Sequence, residues 1–167
     1  MSGIWRYAIS LMLTLVIADG RADTNDAQSG ADGVMASGYA REMPPGASVG
    51  VAYLTLHNRT QLVQTLKAVE LPLNPKASAS LHVTVDEDGI SRMRSLEEIA
   101  LPAGGQLEMR PGATHLMLHG VKLKAGELLQ LRLIFVDGKN RSLEIPVRGL
   151  MAAQQEDRGH HHHHHGG

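Results

Sequence analysis

The chain has 167 residues, 43% of them hydrophobic, and its formal net charge of −1 reflects 16 basic and 17 acidic side chains. Such a balanced charge excludes the strongly basic surface of a nucleic-acid or anionic-membrane binder, so we expect neither partner. Because the chain contains no cysteine, it has no disulfide and no thiolate ligand, and its hydrophobic core must stabilise the fold alone.

The N-terminal part is predicted to be a targeting signal and a leader rather than folded structure. Arg6 precedes an apolar run over residues 7–18, and small residues follow at plausible cleavage positions, so residues 1–22 have the layout of a secretory signal peptide. The apolar run is shorter than the ~20 residues that a membrane helix needs, and no cysteine follows it to carry a lipid anchor. Residues 23–32 are small, polar and acidic, as in a flexible leader. We therefore expect export to the periplasm and no membrane contact after cleavage, with an uncleaved N-terminal anchor as the alternative.

From Gly33 onward, short apolar runs alternate with turn-forming residues, a pattern typical of β-strands. Strands are predicted over residues 49–56, 66–71, 78–85, 90–96, 106–110, 115–119, 127–136 and 142–147. No amphipathic helix of useful length is present, and only residues 97–99 and 121–124 could form single turns. Short strands at this spacing predict a single all-β domain, a sandwich or barrel over residues 33–149.

The C-terminal residues 150–167 are predicted to be a tail outside the domain. The run from His160 to His165 has the form of an expression tag and supplies six of the ten histidines. It would bind metals itself, so it must be removed before any metal titration.

Four side chains with soft or borderline donor atoms, His82, Met93, His115 and Met117, are spaced as His-x10-Met-x21-His-x-Met. A thioether is a weak ligand for zinc, magnesium or calcium but a good one for Cu(I), and imidazole suits copper in either oxidation state. A thioether and imidazole set without thiolate therefore predicts a copper site that prefers Cu(I) and accepts Cu(II). Its affinity should weaken as the pH falls through the histidine range near 6.5.

The spacing also predicts how two of these side chains meet. His82 and Met93 flank the turn at residues 86–89 almost symmetrically. In a hairpin centred near residues 87 and 88 they would be close to cross-strand partners, with Cβ atoms roughly 4.5–5.5 Å apart.

His115 and Met117 lie two residues apart on one predicted strand and therefore share a face. His119 is one step further along the same face, and Met43 lies in a loop that could approach the site. Both are candidate auxiliary ligands.

The remaining native methionines and histidines of the domain are interpreted without a metal role. Met35 and Met109 are predicted to fill the core, as most methionines on strands do. His57 follows a predicted strand and is predicted to be a solvated turn residue.

The sequence resembles the PCuAC family of periplasmic copper chaperones from about Gly33 to Gly149. That family's motif is His-x10-Met-x21-His-x-Met, and the four ligand positions match it one by one. The surrounding segments also agree, at residues 44–46, 50–56, 87–89, 102–105, 111–112 and 115–118. The chain departs from the family at His119, where many members have methionine, and in residues 152–158, which lack the histidine- and methionine-rich tail of some members.

The resemblance implies a cupredoxin-like Greek-key β-sandwich or barrel with an exposed Cu(I) site. It implies a chaperone rather than an enzyme, handing copper to the copper subunit of cytochrome c oxidase or to another copper chaperone. We expect a monomer. Copper sequestration or resistance, or supply of a different copper enzyme, would need the same site and stays open. A copper redox enzyme and a metal-free structural domain are the further alternatives; the absence of cysteine argues against an electron-transfer copper site.

Overall fold

The computed structural model describes residues 33–151, which form an all-β fold of ten strands. The strands are β1 (Val34–Arg41), β2 (Val49–Asn58), β3 (Gln64–Glu70), β4 (Ser78–Glu87), β5 (Ile90–Leu96), β6 (Ile99–Leu101), β7 (Gln106–Glu108), β8 (Thr114–His119), β9 (Leu128–Phe135) and β10 (Asn140–Arg148). The predicted signal peptide and leader, and the tail beyond residue 151, lie outside the described residues. Within those residues, no helix has the length and apolar character to span a membrane.

The strands form one sheet in the order β5-β4-β8-β2-β1-β10-β9-β3-β6, with β7 paired to β2. A short parallel contact between β1 and β10, at Ala40–Val147 and Arg41–Arg148, joins its two halves. Buried side chains from both halves belong to a single hydrophobic cluster, so the halves pack on each other as the two layers of a sandwich. The predicted all-β sandwich is confirmed.

Side chains of the first layer alternate between the core and an outer face. In β2, Gly50, Ala52 and Leu54 are buried on the core side, opposite β8 residues such as Leu116 and Leu118. Each fully buried leucine contributes about 1.5–3 kcal/mol to folding. Because side chains alternate along a strand, the residues between these positions lie on the outer face.

All eight predicted strands are present, β5 with the predicted bounds and the others with one or both ends shifted, but β1 and β6 were not predicted. β1 contains Gly38, which weakens a strand signal, yet a Cβ there would collide with the carbonyl oxygen of Tyr53. β6 has only three residues and replaces part of the turn proposed at residues 97–99. Residues 121–124 have no regular structure, so the proposed turn there is absent.

The hairpin between β4 and β5 differs in register from the prediction. Its two turn residues are Asp88 and Gly89, with φ of 56° and 76°, as a two-residue type I′ turn requires. The centre of the hairpin therefore lies one residue later than predicted, and the pairing shifts by two. His82 faces Ser95 and not Met93, so that predicted pair is wrong.

Candidate copper site

The outer face of the first layer brings two histidines together across neighbouring strands. His82 on β4 and His115 on β8 are direct cross-strand partners. Their ring centroids are 6.0 Å apart and their planes differ by 23°, so the rings are stacked. The two halves of the sequence motif therefore meet at this pair.

The two methionines flank the histidine pair on the same face. Met117 lies two residues beyond His115 on β8, opposite Ser80 of β4, and is half-buried. Met93 on the edge strand β5 faces Thr84, so it is a diagonal cross-strand neighbour of His82. The Cα atoms of such neighbours lie roughly 7–8 Å apart. Met93 is 55% exposed. All four predicted ligands thus share one sheet face.

His115 is held in one orientation by the backbone. It is 6% exposed, and its Nδ1 lies 2.9 Å from the carbonyl oxygen of Ala113. Because a carbonyl only accepts, Nδ1 carries the proton and donates it, which leaves the lone pair on Nε2. This is the arrangement that fixes the tautomer of metal-binding histidines in proteins.

His82 has a ring nitrogen that lacks a partner. Its Nε2 lies 3.0 Å from the Ser80 hydroxyl oxygen. Its Nδ1 is fully buried and is the one buried side-chain nitrogen or oxygen between residues 33 and 151 without a hydrogen bond. Such an unsatisfied group destabilises a fold by about 1–3 kcal/mol. A bound metal ion would supply the missing partner, so the residues present fit a metal.

The electrostatic surroundings of His82 favour its neutral form. Burial lowers the pKa of His82 below 6.5, and the neighbouring His115 and His119 lower it further through charge repulsion. Neutral imidazole is the form that binds metal ions. These surroundings therefore favour the neutral ring of His82, in which one of the two nitrogens carries a lone pair.

The donor set selects a soft ion. Among residues 33–151, no three histidine, aspartate or glutamate side chains cluster where a metal could bind. The further predicted ligands on this face, Met93 and Met117, carry thioether sulfur, and thioethers favour Cu(I).

The two candidate auxiliary ligands are placed differently. His119 is exposed on the outer face, opposite Ser78, at the far end of β8 from His115. Met43 packs against the hydrophobic core, with its sulfur 3.3 Å from where a Cβ on Gly50 would lie. The structure does not bring Met43 to the histidine pair.

The structure confirms some of the predictions made for the residues without a metal role and contradicts others. Met109 is 3% exposed and lies in the core as predicted. Met35 is 46% exposed, so its prediction as core filler is wrong. His57 is exposed as predicted, but it lies within β2 and not in a turn.

Sequence reasoning missed the aromatic neighbours of His115. Ala52 faces Leu116, which puts Tyr53 next to His115 on the outer face. The Tyr53 and Tyr39 rings are 5.3 Å apart, and the Arg148 guanidinium lies 4.2 Å above the Tyr39 ring. The outward position of Tyr53 in the predicted strand 49–56 was the available signal.

A family model described as "Putative lipoprotein LpqE-like" matches residues 34–147. "Putative lipoprotein Lxx21020" of Leifsonia xyli subsp. xyli (strain CTCB07) is 34% identical over 82 residues. That match covers 47% of this chain and 49% of the relative, so the chain spans about half the length of that protein.

Two solved structures have the same fold. CuI-DR1885 from Deinococcus radiodurans is 25% identical with a TM-score of 0.56, covering 76% of this chain and 85% of that one. The copper-bound PCuAC domain from PmoF2 is 16% identical with a TM-score of 0.54, covering 70% and 92%. These likenesses confirm the cupredoxin-like fold that the sequence resemblance implied.

Proposed function

The chain belongs to the LpqE-like family of putative lipoproteins, and we propose that it is an exported copper chaperone. It binds one Cu(I) through His82, Met93, His115 and Met117 and delivers the ion to a copper-accepting protein. The copper subunit of cytochrome c oxidase is the first acceptor to test. Similarity to copper-binding PCuAC domains supports the assignment to copper.

One observation carries this proposal: the buried, unpartnered Nδ1 of His82 beside His115. Carboxylate ligands do not complete the pair within residues 33–151, whereas Met117 and Met93 share its face. Two imidazoles and two thioethers form a neutral, soft ligand set, which suits Cu(I) better than Zn²⁺ or Mg²⁺.

The exposure of the ligands supports transfer rather than permanent storage. His115 is almost fully buried, while Met93 lies on an edge strand and is 55% exposed. An acceptor can approach Met93 directly, and a thioether binds metal more weakly than the thiolates of an acceptor. Met93 is then the first ligand to be displaced, and His115 holds the ion until the last step.

Export is part of the proposal. Residues 1–22 have the layout of a secretory signal, and both the family and its Leifsonia relative carry the description "Putative lipoprotein". A cysteine-free, thioether-based site also suits an oxidising compartment, where thiolates form disulfides.

The test is a Cu(I) titration against a chromogenic chelator, using chain from which His160 to His165 have been removed. The comparison is a variant with alanine at all four ligand positions, and circular dichroism verifies that it is folded. Loss of tight Cu(I) binding in the folded variant supports the proposal, and equal binding rejects it. Mixing the copper-loaded protein with apo copper subunit of cytochrome c oxidase then tests delivery.

A further inference from the structure

A second imidazole and thioether pair lies on the same sheet face, away from the site described above. Met35 on β1 and His57 on β2 are direct cross-strand partners. Both are exposed, and they lie on the outer face because their neighbours Val34 and Asn58 are fully buried on the core side. The pairing of Met35 with His57 could not be predicted from the sequence, because β1 was not among the predicted strands.

The pair is separate from the first site. The nearest ligand of the first site along β2 is His115, which is level with Tyr53, and His57 is four residues further along that strand. At ~3.3 Å per residue this is about 13 Å. One ion cannot be shared over that distance.

The distance between Met35 and His57 suits a metal ion that is bound linearly between the two side chains. Directly opposed Cβ atoms on antiparallel strands lie roughly 4.5–5.5 Å apart. First-row ions such as zinc bind imidazole nitrogen at about 2.0 Å and sulfur at about 2.3 Å, so a linear nitrogen–metal–sulfur unit spans about 4.3 Å. Because Met35 and His57 are directly opposed and both exposed, their donor atoms lie within range of a single ion between them.

The backbone beneath the pair is rigidly anchored. Val34 and Asn58 face each other directly behind it and are 1% and 0% exposed. The Asn58 amide donates to the carbonyl oxygens of Leu62, Leu101 and Pro102, at 2.8, 3.2 and 2.9 Å. Ligands on rigid, hydrogen-bonded strands are held in place before the ion arrives.

From this geometry we propose that Met35 and His57 form a second, weaker Cu(I) site. Thioether with neutral imidazole is a soft, uncharged ligand pair of the type that favours Cu(I). The other cross-strand neighbour of His57 is Gln106, whose amide oxygen is a hard ligand and would not improve binding of this ion. Two ligands bind more weakly than four, so this site fills after the first. The inference does not depend on delivery to any acceptor.

The test is a titration of the full chain lacking His160 to His165 with Cu(I), and with Ag(I) as a redox-inert probe. NMR signals of the methionine methyl groups and the histidine rings report which side chains bind each ion. The first equivalent should shift the Met93 and Met117 methyl signals. The second should shift Met35 and His57. Single M35L and H57Q variants should each lose only the second step, and M151L, which removes another exposed methionine, should lose neither.

Because Met35 and His57 are exposed, these substitutions should change stability by no more than about 0.5 kcal/mol, so the variants remain measurable. A titration that ends at one ion per chain would overturn the inference. So would a second step that persists in the M35L/H57Q double variant. Loss of the first step alone, in a chain that still fills Met35 and His57, would reject the proposed chaperone site and leave this one standing.

Discussion

His82 and His115 face each other on β4 and β8 with stacked rings 6.0 Å apart, and of the two only His82 buries a ring nitrogen that has no hydrogen bond. His115 donates to the Ala113 carbonyl and presents its Nε2, whereas His82 buries an unpaired Nδ1. The proposed copper site therefore pairs one histidine that is fixed by the backbone with one whose buried nitrogen has no protein partner. This asymmetry gives the two histidines opposite effects on the stability of the copper-free protein.

Replacing His82 by leucine should not destabilise the copper-free protein and should raise its free energy of unfolding by about 1 kcal/mol. The substitution removes a buried nitrogen whose missing hydrogen bond costs about 1–3 kcal/mol, while retaining a side chain of similar size. Copper binding should be lost at the same time. Urea denaturation with and without Cu(I) measures both effects. A clear loss of copper-free stability in H82L would mean that this nitrogen is satisfied in solution.

Replacing His115 by alanine should destabilise the copper-free protein by about 2–3 kcal/mol. The change leaves the Ala113 carbonyl without its donor and opens a space beside a ring that is 6% exposed. H119A is the matched control, because His119 is exposed on the same strand and face. It should stay within about 0.5 kcal/mol of the wild type. Similar midpoints for the two variants would contradict a structural role for His115.

The two methionines should differ in their effects on copper release. M117L should lower Cu(I) affinity more than M93L, because Met117 is half-buried next to His115 while Met93 is exposed on the edge strand. M93L should mainly increase the dissociation rate; each tenfold change in affinity corresponds to about 1.4 kcal/mol. Stopped-flow transfer to a chelator separates the two effects. If M93L left both the affinity and the release rate unchanged, Met93 would not be a ligand.

Substituting Gly89 by valine should weaken copper binding without touching a ligand. Gly89 has a φ of 76° in the turn that sets the β4–β5 register, and a β-branched residue is strained there. A shifted register would move Met93 away from the face of His82. D88N is the control, because asparagine tolerates the positive φ of Asp88. Amide cross-peaks between β4 and β5 report the register, and an unchanged register with normal affinity in G89V would contradict this account.

The pH dependence follows from the lowered pKa of His82, caused first by burial and then by His115 and His119. In the unfolded chain His82 takes up its proton near pH 6.5, but in the folded protein it does so only at lower pH. Below pH 6.5 the unfolded state therefore binds more protons, and the copper-free protein should lose stability as the pH falls. Above pH 6.5 His82 is neutral in both the folded and the unfolded state, so its ionisation no longer changes the free energy of unfolding.

Because the pKa of His82 is lowered, protons compete with copper for this side chain only at a pH below 6.5. An NMR titration of the His82 ring, together with copper-free melting temperatures between pH 8 and 5, measures both consequences. A His82 ring that titrates above pH 6.5 would contradict the depressed pKa.

The local patterns of the sequence were sufficient for most of the strands. Strand periodicity, as in Val49–Leu56, and the presence of a turn at residues 86–89 depend on neighbouring residues, so both could be predicted from the sequence. The exact centre of that turn, at Asp88 and Gly89, was predicted one residue too early. The strand β1 was missed because Gly38 interrupts its pattern, and its need for glycine comes from the carbonyl of Tyr53 on the next strand. A constraint of that kind exists only once the strands are paired.

The sequence by itself determined the type of fold and the chemistry of the available donor atoms: an all-β domain carrying imidazole and thioether side chains without thiolate. Only the tertiary structure decided which of those side chains meet. The register of β4 against β8 places His82 opposite His115, the hairpin register places Met93 opposite Thr84, and the pairing of β1 with β2 brings Met35 to His57. Register is set by burying one whole face of each strand in a common core, and that depends on all the strands at once.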